Sequence, residues 1–377
     1  MIKMFPFNVL SRSIDAYQSN PGAIHVAPLN HVVNLREKMK ITNIKAFPIS
    51  YRVPEGENVR LGIGLAVKRD AVLIKVETSE GVTGWGESHH GRCPGAIAKL
   101  IDTTIKELVV GMDALDNVGV WDKIYRMQLA SHGMGYASTM ALSGLDLALW
   151  DIKGKALDMP VYKLLGGPVR DKVVCYPHNG GRTVEELVAS CAKSVEDGWK
   201  FVRWGQAETS PDGSIDYSEG GILDPVRSII KTEETVAAVR EVVGPEIHIC
   251  LDVHTRIDTT HVITMCRNLE KYNPFFVEDP LRSENPESYR KLDRHVDVPI
   301  AAGEQWGSKW AFRQVIEEEL ISYARIDLCN VGGLTEALKV THWCETHYID
   351  IAPHNPLGPV SACLLYTSDA ADDTPCV

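Results

Sequence analysis

Ile249-Cys250-Leu251-Asp252, Phe276-Val277-Glu278-Asp279-Pro280 and Ala301-Ala302-Gly303-Glu304 repeat one arrangement three times, a short apolar run ending in a carboxylate. The acids Asp252, Glu278 and Glu304 are spaced 26 residues apart in both intervals. That is about the length of one strand–helix unit in a barrel of roughly 250 residues and eight units. The spacing predicts three acids at one height on adjacent parallel strands, at the C-terminal mouth. Any one of them alone reads equally well as a helix N-cap. Three in register do not, and two of the three are Glu, a poorer cap. Held about 4 Å apart, such charges repel by several kcal/mol at intermediate dielectric. A divalent cation removes the conflict. An all-oxygen set without Cys or His favours a hard ion such as magnesium or manganese.

The same alternation extends on both sides. Apolar runs at Val173–Tyr176, Phe201–Trp204, Ile247–Leu251, Phe275–Val277, Ile300–Ala302, Ala324–Ile326 and Ile349–Ala352 are separated by helical patterns such as Val184–Glu196, Thr232–Val243 and Thr335–Thr346. With no Asn-Gly hairpin signal between them, the runs predict a parallel sheet with crossover helices. Seven units favour a (β/α) barrel over an open sheet. Upstream the period changes. Ile41–Tyr51, Ala71–Glu77 and Trp85-Gly86-Glu87, which follows a turn at 81–84, read as an antiparallel meander. A helix from about Tyr136 to Leu157 carries apolar residues on more than one face, so it belongs in a core. The first part is therefore α+β.

Two histidines lie close to these acids. His254 follows Asp252 by two positions, so on an extended strand both side chains point the same way. His354 follows the last apolar run and Asp327 the one before it, 27 residues apart, which places Asp327 beside His354. A carboxylate next to an imidazole raises its pKa and fixes its tautomer, as a general base requires. His254, across the metal, is the matching candidate acid. His31, His132, His261, His295 and His342 lack such neighbours and read as structural.

Composition narrows the choice further. The chain has 377 residues, 44% hydrophobic and 24% charged, with a formal charge of -11. That balance argues against a nucleic-acid partner, which demands clustered Lys and Arg. Nine scattered cysteines without a C-x-x-C pair read as reduced thiols. Met1 to Leu10 is too short for a membrane span, and no small-residue cleavage site follows it. The expectation is a cytoplasmic protein without membrane contact.

These motifs closely resemble the mandelate racemase subgroup of the enolase superfamily from about Met39 to Cys363. The resemblance rests on Gly84-Trp85-Gly86-Glu87, the run from Ala141 to Lys155, Pro160 to Gly167, Val277-Glu278-Asp279-Pro280, Gly303-Glu304, Asp327 with Gly332-Gly333, and Pro353 to Pro359. It implies an α+β capping domain over a (β/α)7β TIM-type barrel, one magnesium ion on Asp252, Glu278 and Glu304, and a dimer or octamer. Use of a His or Lys base with magnesium is a known property of that superfamily. On this basis residues 1–38 are a non-family N-terminal extension, with Met39 as a candidate natural start. Residues 39–165 are the cap and 166–363 an incomplete barrel. Residues 364–377, which include Tyr366-Thr367-Ser368-Asp369, read as a non-native tail, with the last strand missing through truncation.

Within the subgroup, Asp252-Val253-His254 with the Asp327–His354 pair is most similar to galactonate dehydratase-like sugar-acid dehydratases. Racemases of the subgroup carry Lys-x-Lys after the second barrel strand, where this chain has Arg203-Trp204-Gly205. The resemblance thus implies magnesium-dependent dehydration of an aldonate to a 2-keto-3-deoxy acid, with Asp327, His354 and His254 catalytic. A racemase or epimerase acting on a 2-hydroxy acid is the alternative, and a truncated inactive fragment another. Arg203 is expected to contact substrate. His89, in the cap segment His89-His90-Gly91-Arg92, is expected to reach over the mouth. Tyr217 is a further substrate-binding candidate, because mannonate dehydratases pair an arginine after this strand with a tyrosine in the next loop.

Overall fold

The computed structural model describes residues 39–54, 59–61, 64–206, 208–209, 215–216 and 224–369. In the first part, β1 (Ile41–Arg52), β4 (Lys68–Thr78) and β5 (Thr83–Ser88) form an antiparallel sheet in the order β1-β4-β5. A small hairpin, β2 (Val59–Leu61) with β3 (Gly64–Ala66), lies between the first two in sequence. The meander expected from the alternation is present. Val72, Ile74 and Val76 turn to the buried face, while Lys75 and Glu77 alternate with them.

That buried face meets α3 (Tyr136–Ala156), which is preceded by α1 (Pro94–Leu100) and α2 (Asn117–Ile124) and followed by the single turn α4 (Val161–Leu164). Every residue of α3 from Ala141 to Leu149 is buried. Ala141, Leu142, Leu145, Ala148 and Leu149 belong to the core of the cap, whereas Leu147 joins the core of the barrel. A helix sandwiched between two cores must be apolar nearly all round, which explains its weak amphipathicity. Strand β5 lies backbone to backbone on this helix. A Cβ at Gly86 would collide with the carbonyl oxygen of Gly144, so only glycine permits the approach.

The second part holds six parallel strands in the order β13-β12-β11-β10-β9-β6, the sheet of a TIM-type barrel. They are β6 (Phe201–Gly205), β9 (His248–Asp252), β10 (Phe276–Glu278), β11 (Ile300–Ala302), β12 (Tyr323–Ala324) and β13 (Asp350–Ile351). Two short strands, β7 (Glu208–Thr209) and β8 (Ile215–Asp216), form a hairpin after β6. The crossover helices are α5 (Val184–Glu196), α6 (Pro225–Val243), α7 (Thr259–Leu269), α8 (Ser288–Asp293), α9 (Lys309–Glu317) and α10 (Leu334–Thr346), with α11 (Pro359–Asp369) last. Thr183 caps α5 through Glu186 N, and Asp224 caps α6 with Pro225 at the first helical position.

Two expectations change. The run Val173–Tyr176 is not a regular strand; it meets the sheet through a single parallel bridge, His178 to Arg203. No strand covers its other side among the described residues, and Val174 stays 41% exposed. The acids also do not all stand at one height. Asp252 pairs with Glu278, but the β11 partner of Glu278 is Ala301, three residues before Glu304. Glu304 reaches the mouth from the loop, after Gly303 at φ +135°, where a Cβ would lie 2.6 Å from the Phe312 ring. None of the three acids is a helix N-cap.

Candidate active site

The ends of β6, β9, β10 and β12 and the loops after β11, β12 and β13 bring Arg203, Asp252, Glu278, Arg325, Glu304, Asp327 and His354 together. Glu278 is fully buried. Its Oε2 accepts from Arg203 Nε at 3.0 Å, and its Oε1 from Arg203 Nη2 at 3.1 Å and Arg325 Nη2 at 2.7 Å. Burial opposes its charge, yet the Arg203 and Arg325 guanidinium groups outweigh burial and hold it well below the usual carboxylate range. Asp252 Oδ2 touches Arg203 Nη2, and its Oδ1 accepts the His254 backbone N–H at 2.9 Å. The structure therefore places Arg203 on the carboxylates themselves. Arg203 also donates from Nη1 to His178 Nδ1 at 2.8 Å. Burial first, and Arg203 second, hold His178 down to about 4, so Nδ1 is the acceptor.

The opposite side is arranged differently. Asp327 Oδ2 accepts from His354 Nδ1 at 3.0 Å, while its Oδ1 takes the Cys329 N–H at 2.7 Å. Because a carboxylate can only accept here, His354 carries a proton on Nδ1, and Nε2 is the nitrogen left to exchange a proton. Nε2 lies 3.1 Å from Glu304 Oε2. Burial lowers the imidazole pKa, but Glu304 and Asp327 together raise it above the ordinary value. Glu304 Oε2 and Asp279 Oδ2 are buried oxygens without a hydrogen-bond donor. Burial, then Glu304, Glu278 and Asp252, push Asp279 well above the usual carboxylate range.

His254 reaches the cluster by another route than an extended strand. β9 ends at Asp252, and His254 and Thr255 adopt left-handed φ of 50° and 59°. Such conformations are uncommon outside glycine and cluster at functional sites. The turn brings His254 Nδ1 to 2.6 Å from Asp252 Oδ2. Burial lowers its pKa, and Asp252 more than reverses that.

His89 lies on the cap side. Its backbone N–H donates to Cys329 O at 3.0 Å, and its Nδ1 accepts from Gly91 N at 3.1 Å. Burial lowers its pKa, with Asp327 next among its charged neighbours. Tyr217 lies outside the described residues.

Four polar residues of this region have no site role in the sequence reading: Asp279 and Glu87, which appear there as motif residues, and Arg325 and His178. Arg325 had a visible signal, an arginine inside an apolar strand two positions before Asp327. Glu87, at the end of β5, accepts from Gly358 N at 2.9 Å and Ser361 N at 3.1 Å, fastening the start of α11 to the cap. Burial raises its pKa.

The donor set suits a hard cation. Oxygens of Glu278, Asp279 and Glu304 lie within 4.8 Å of one another. This trio includes Asp279, whereas the sequence spacing selects Asp252. Five carboxylates meet here against two guanidinium groups and the rings of His254 and His354, and the proton that Asp279 holds is one a cation can displace.

A parallel barrel sheet under an antiparallel cap, with acids at the strand ends, defines a class of barrel enzymes. Residues 48–166 match the family described as mandelate racemase / muconate lactonizing enzyme, N-terminal domain, and residues 186–371 match enolase C-terminal domain-like. The chain belongs to the enolase superfamily. A D-galactonate dehydratase of Pectobacterium atrosepticum is 36% identical over 294 residues, covering 77% of this chain and 72% of that one. Another from Ralstonia pickettii is 36% identical over 299 residues, covering 78% and 74%. A crystal structure of an enolase superfamily member from Polaromonas superimposes with a TM-score of 0.80 at 34% identity, covering 90% of this chain and 85% of that one. An enolase from Pantoea ananatis, with bound D-gluconate and Mg, gives 0.76 at 27% identity, covering 89% and 83%. No helix among the described residues is long and apolar enough to cross a membrane.

Proposed function

We propose that the chain is a magnesium-dependent hydro-lyase that converts an aldonate into a 2-keto-3-deoxy acid. The observation that carries this reading is the His354–Asp327 pair, which turns Nε2 toward the acidic cluster, with a second histidine on the Asp252 side. The names of the D-galactonate dehydratases and the D-gluconate and Mg in the Pantoea structure support the substrate class.

Asp252, Glu278 and Glu304 would hold the ion, with Asp279 beside Glu278 and Glu304. When bound, magnesium supplies positive charge to the substrate carboxylate and to the negative charge that develops on it. His354 Nε2 takes the C2 proton, and Asp327 stabilises the imidazolium that forms. The C3–OH bond then breaks with a proton from His254, releasing water. The enol product tautomerises to the 2-keto-3-deoxy acid. His89 comes from the cap side of the mouth, where in this reading it selects the substrate.

In the same reading residues 39–165 cap the barrel of 166–363, and the enzyme works as a cytoplasmic homo-oligomer. Cys93, Cys191, Cys250, Cys266, Cys329, Cys344 and Cys363 are free thiols, which suits a reducing compartment.

The test is incubation of the full chain with magnesium and four- to six-carbon aldonates, with semicarbazide detection of 2-keto products. A magnesium-dependent signal from one or two acids is expected. Epimerised acid without keto product would replace this reading with the epimerase one.

A further inference from the structure

Asp146 is a buried carboxylate far along α3, outside the acidic cluster. It is 1% exposed. Its Oδ2 accepts the backbone N–H of Thr335 at 2.9 Å and its Oδ1 the Thr335 hydroxyl at 2.6 Å. Thr335 is the second residue of α10, so a carboxylate from the cap satisfies the helix end of the barrel. Residues one turn away on the same face of α3 act on the same segment. Ser143 Oγ accepts from Gly332 N at 2.9 Å, and Trp150 Nε1 donates to Thr335 Oγ1 at 3.0 Å. From α2, Trp121 Nε1 donates to Gly332 O at 2.9 Å. Gly333, at φ +80°, has no room for a Cβ, which would collide with Asp146 Oδ2.

The other end of this segment is Asp327. Its carbonyl accepts from Asn330 N at 3.0 Å and Val331 N at 2.8 Å, closing a tight turn on the strand end. Asn330 Nδ2 donates to Glu304 O at 2.9 Å, and Cys329 O takes the His89 N–H. Every residue from Ala324 to Ala337 is buried. A dense segment with both ends hydrogen-bonded transmits displacement instead of absorbing it.

We propose that Asp146 is a positioning residue: from the cap it fixes Asp327–Thr335, and so sets the Asp327 carboxylate on Nδ1 of His354. This deepens the proposed function, because it rests on His354 as the base. Burial pushes Asp146 up to about 7 against its two hydrogen bonds from Thr335. Such a costly group is out of place if it merely fills the interface.

The test compares the full chain with Asp146→Ala and Asp146→Asn. The primary readout needs no substrate: the long-range 1H–15N correlation of the His354 ring at pH 9, assigned by its loss in His354→Gln. The native ring should show protonated Nδ1 and free Nε2. Asp146→Ala should give mixed tautomers, and Asp146→Asn, which keeps an acceptor for Thr335 N, should restore the native pattern. With any aldonate that turns over, kcat should fall at least tenfold in Asp146→Ala while KM stays within twofold. If Asp146→Ala does not fold, Ser143→Ala and Trp150→Phe each remove one clasp and should shift the same tautomer balance. A folded Asp146→Ala, or both clasp variants, with the native tautomer overturns the proposal. Failure of every aldonate to react would overturn the dehydratase reading and leave the ring signal to decide this one.

Discussion

Asp252 and Glu278, on one side of the barrel mouth, are wrapped by guanidinium groups, whereas on the other side Glu304 faces the His354 ring and Asp279 beside it has an oxygen with no donor. Arg203 reaches both carboxylates of the first pair and Arg325 adds a second guanidinium to Glu278. In the second pair Glu304 Oε2 and Asp279 Oδ2 have no hydrogen-bond donor. Buried charge is tolerated when paired and costs several kcal/mol when not. The difference separates two tasks. The first pair is held ionised and fixed in orientation by the fold, so its oxygens stand ready at the strand ends for an ion. The second lacks that cover: Asp279 holds its proton well above the usual carboxylate range, and a cation can take that proton's place.

The sharpest way to break this contrast is Arg203→Met. It removes the guanidinium that serves both acids of the paired side and leaves them buried. A loss of about 3–5 kcal/mol in unfolding free energy is expected, the usual cost of orphaning one member of a buried ion pair. Urea unfolding in chelator checks it, and a loss below about 1 kcal/mol would mean that Arg203 is not the counter-charge described above.

That pairing was only half legible in the sequence. Asp252, Glu278, Asp327 and His354 could be read because a barrel repeats with a fixed period, and the strand end is a fixed point in each unit. The fold was legible for the same reason, together with the apolar excess of α3. Partners across strands were not. Arg203 precedes Asp252 by 49 residues and Glu278 by 75, and no local pattern tells which carboxylate a strand arginine will meet. Glu87 is more remote still, since it holds backbone N–H groups more than 270 positions away. His254 was found through an extended-strand argument that the backbone does not obey. The left-handed turn after Asp252 brings it to the same carboxylate. Glu304 shows the reverse case: its spacing is regular, yet it stands on a loop.

Asp146 gives an intermediate case, a buried acid with neutral donors, and it sharpens the comparison through pH. Its native pKa is raised to about 7, above an unfolded value near 3.9. The folded state therefore binds the proton more tightly, and this contribution to stability is full below the unfolded value and lost as pH rises through about 7. Asp146→Asn has no proton to lose. Its stability relative to the native chain should rise from pH 4 to pH 8, by about 2–4 kcal/mol, in urea midpoints measured at each pH. A difference that stays flat over that range would show that Thr335 keeps the group ionised throughout.

The smallest effect on folding belongs to the unpaired side. Glu304→Gln removes one charge from a group whose Oε2 has no donor and whose neighbours include Asp279. Relief of repulsion offsets the weakened contact with His354, so stability in chelator should change by less than about 1 kcal/mol. The same substitution should erase the response to the ion. On the reading proposed above, magnesium at a hundredfold excess over its Kd stabilises the native chain by about 2.7 kcal/mol, and Glu304→Gln should show no such gain in a thermal shift. The two measurements constrain each other. A variant as stable as the native chain but blind to magnesium assigns Glu304 to the ion. A variant destabilised like Arg203→Met, with its magnesium response intact, would make Glu304 an ion-pair partner of the fold alone and erase the distinction between the two sides.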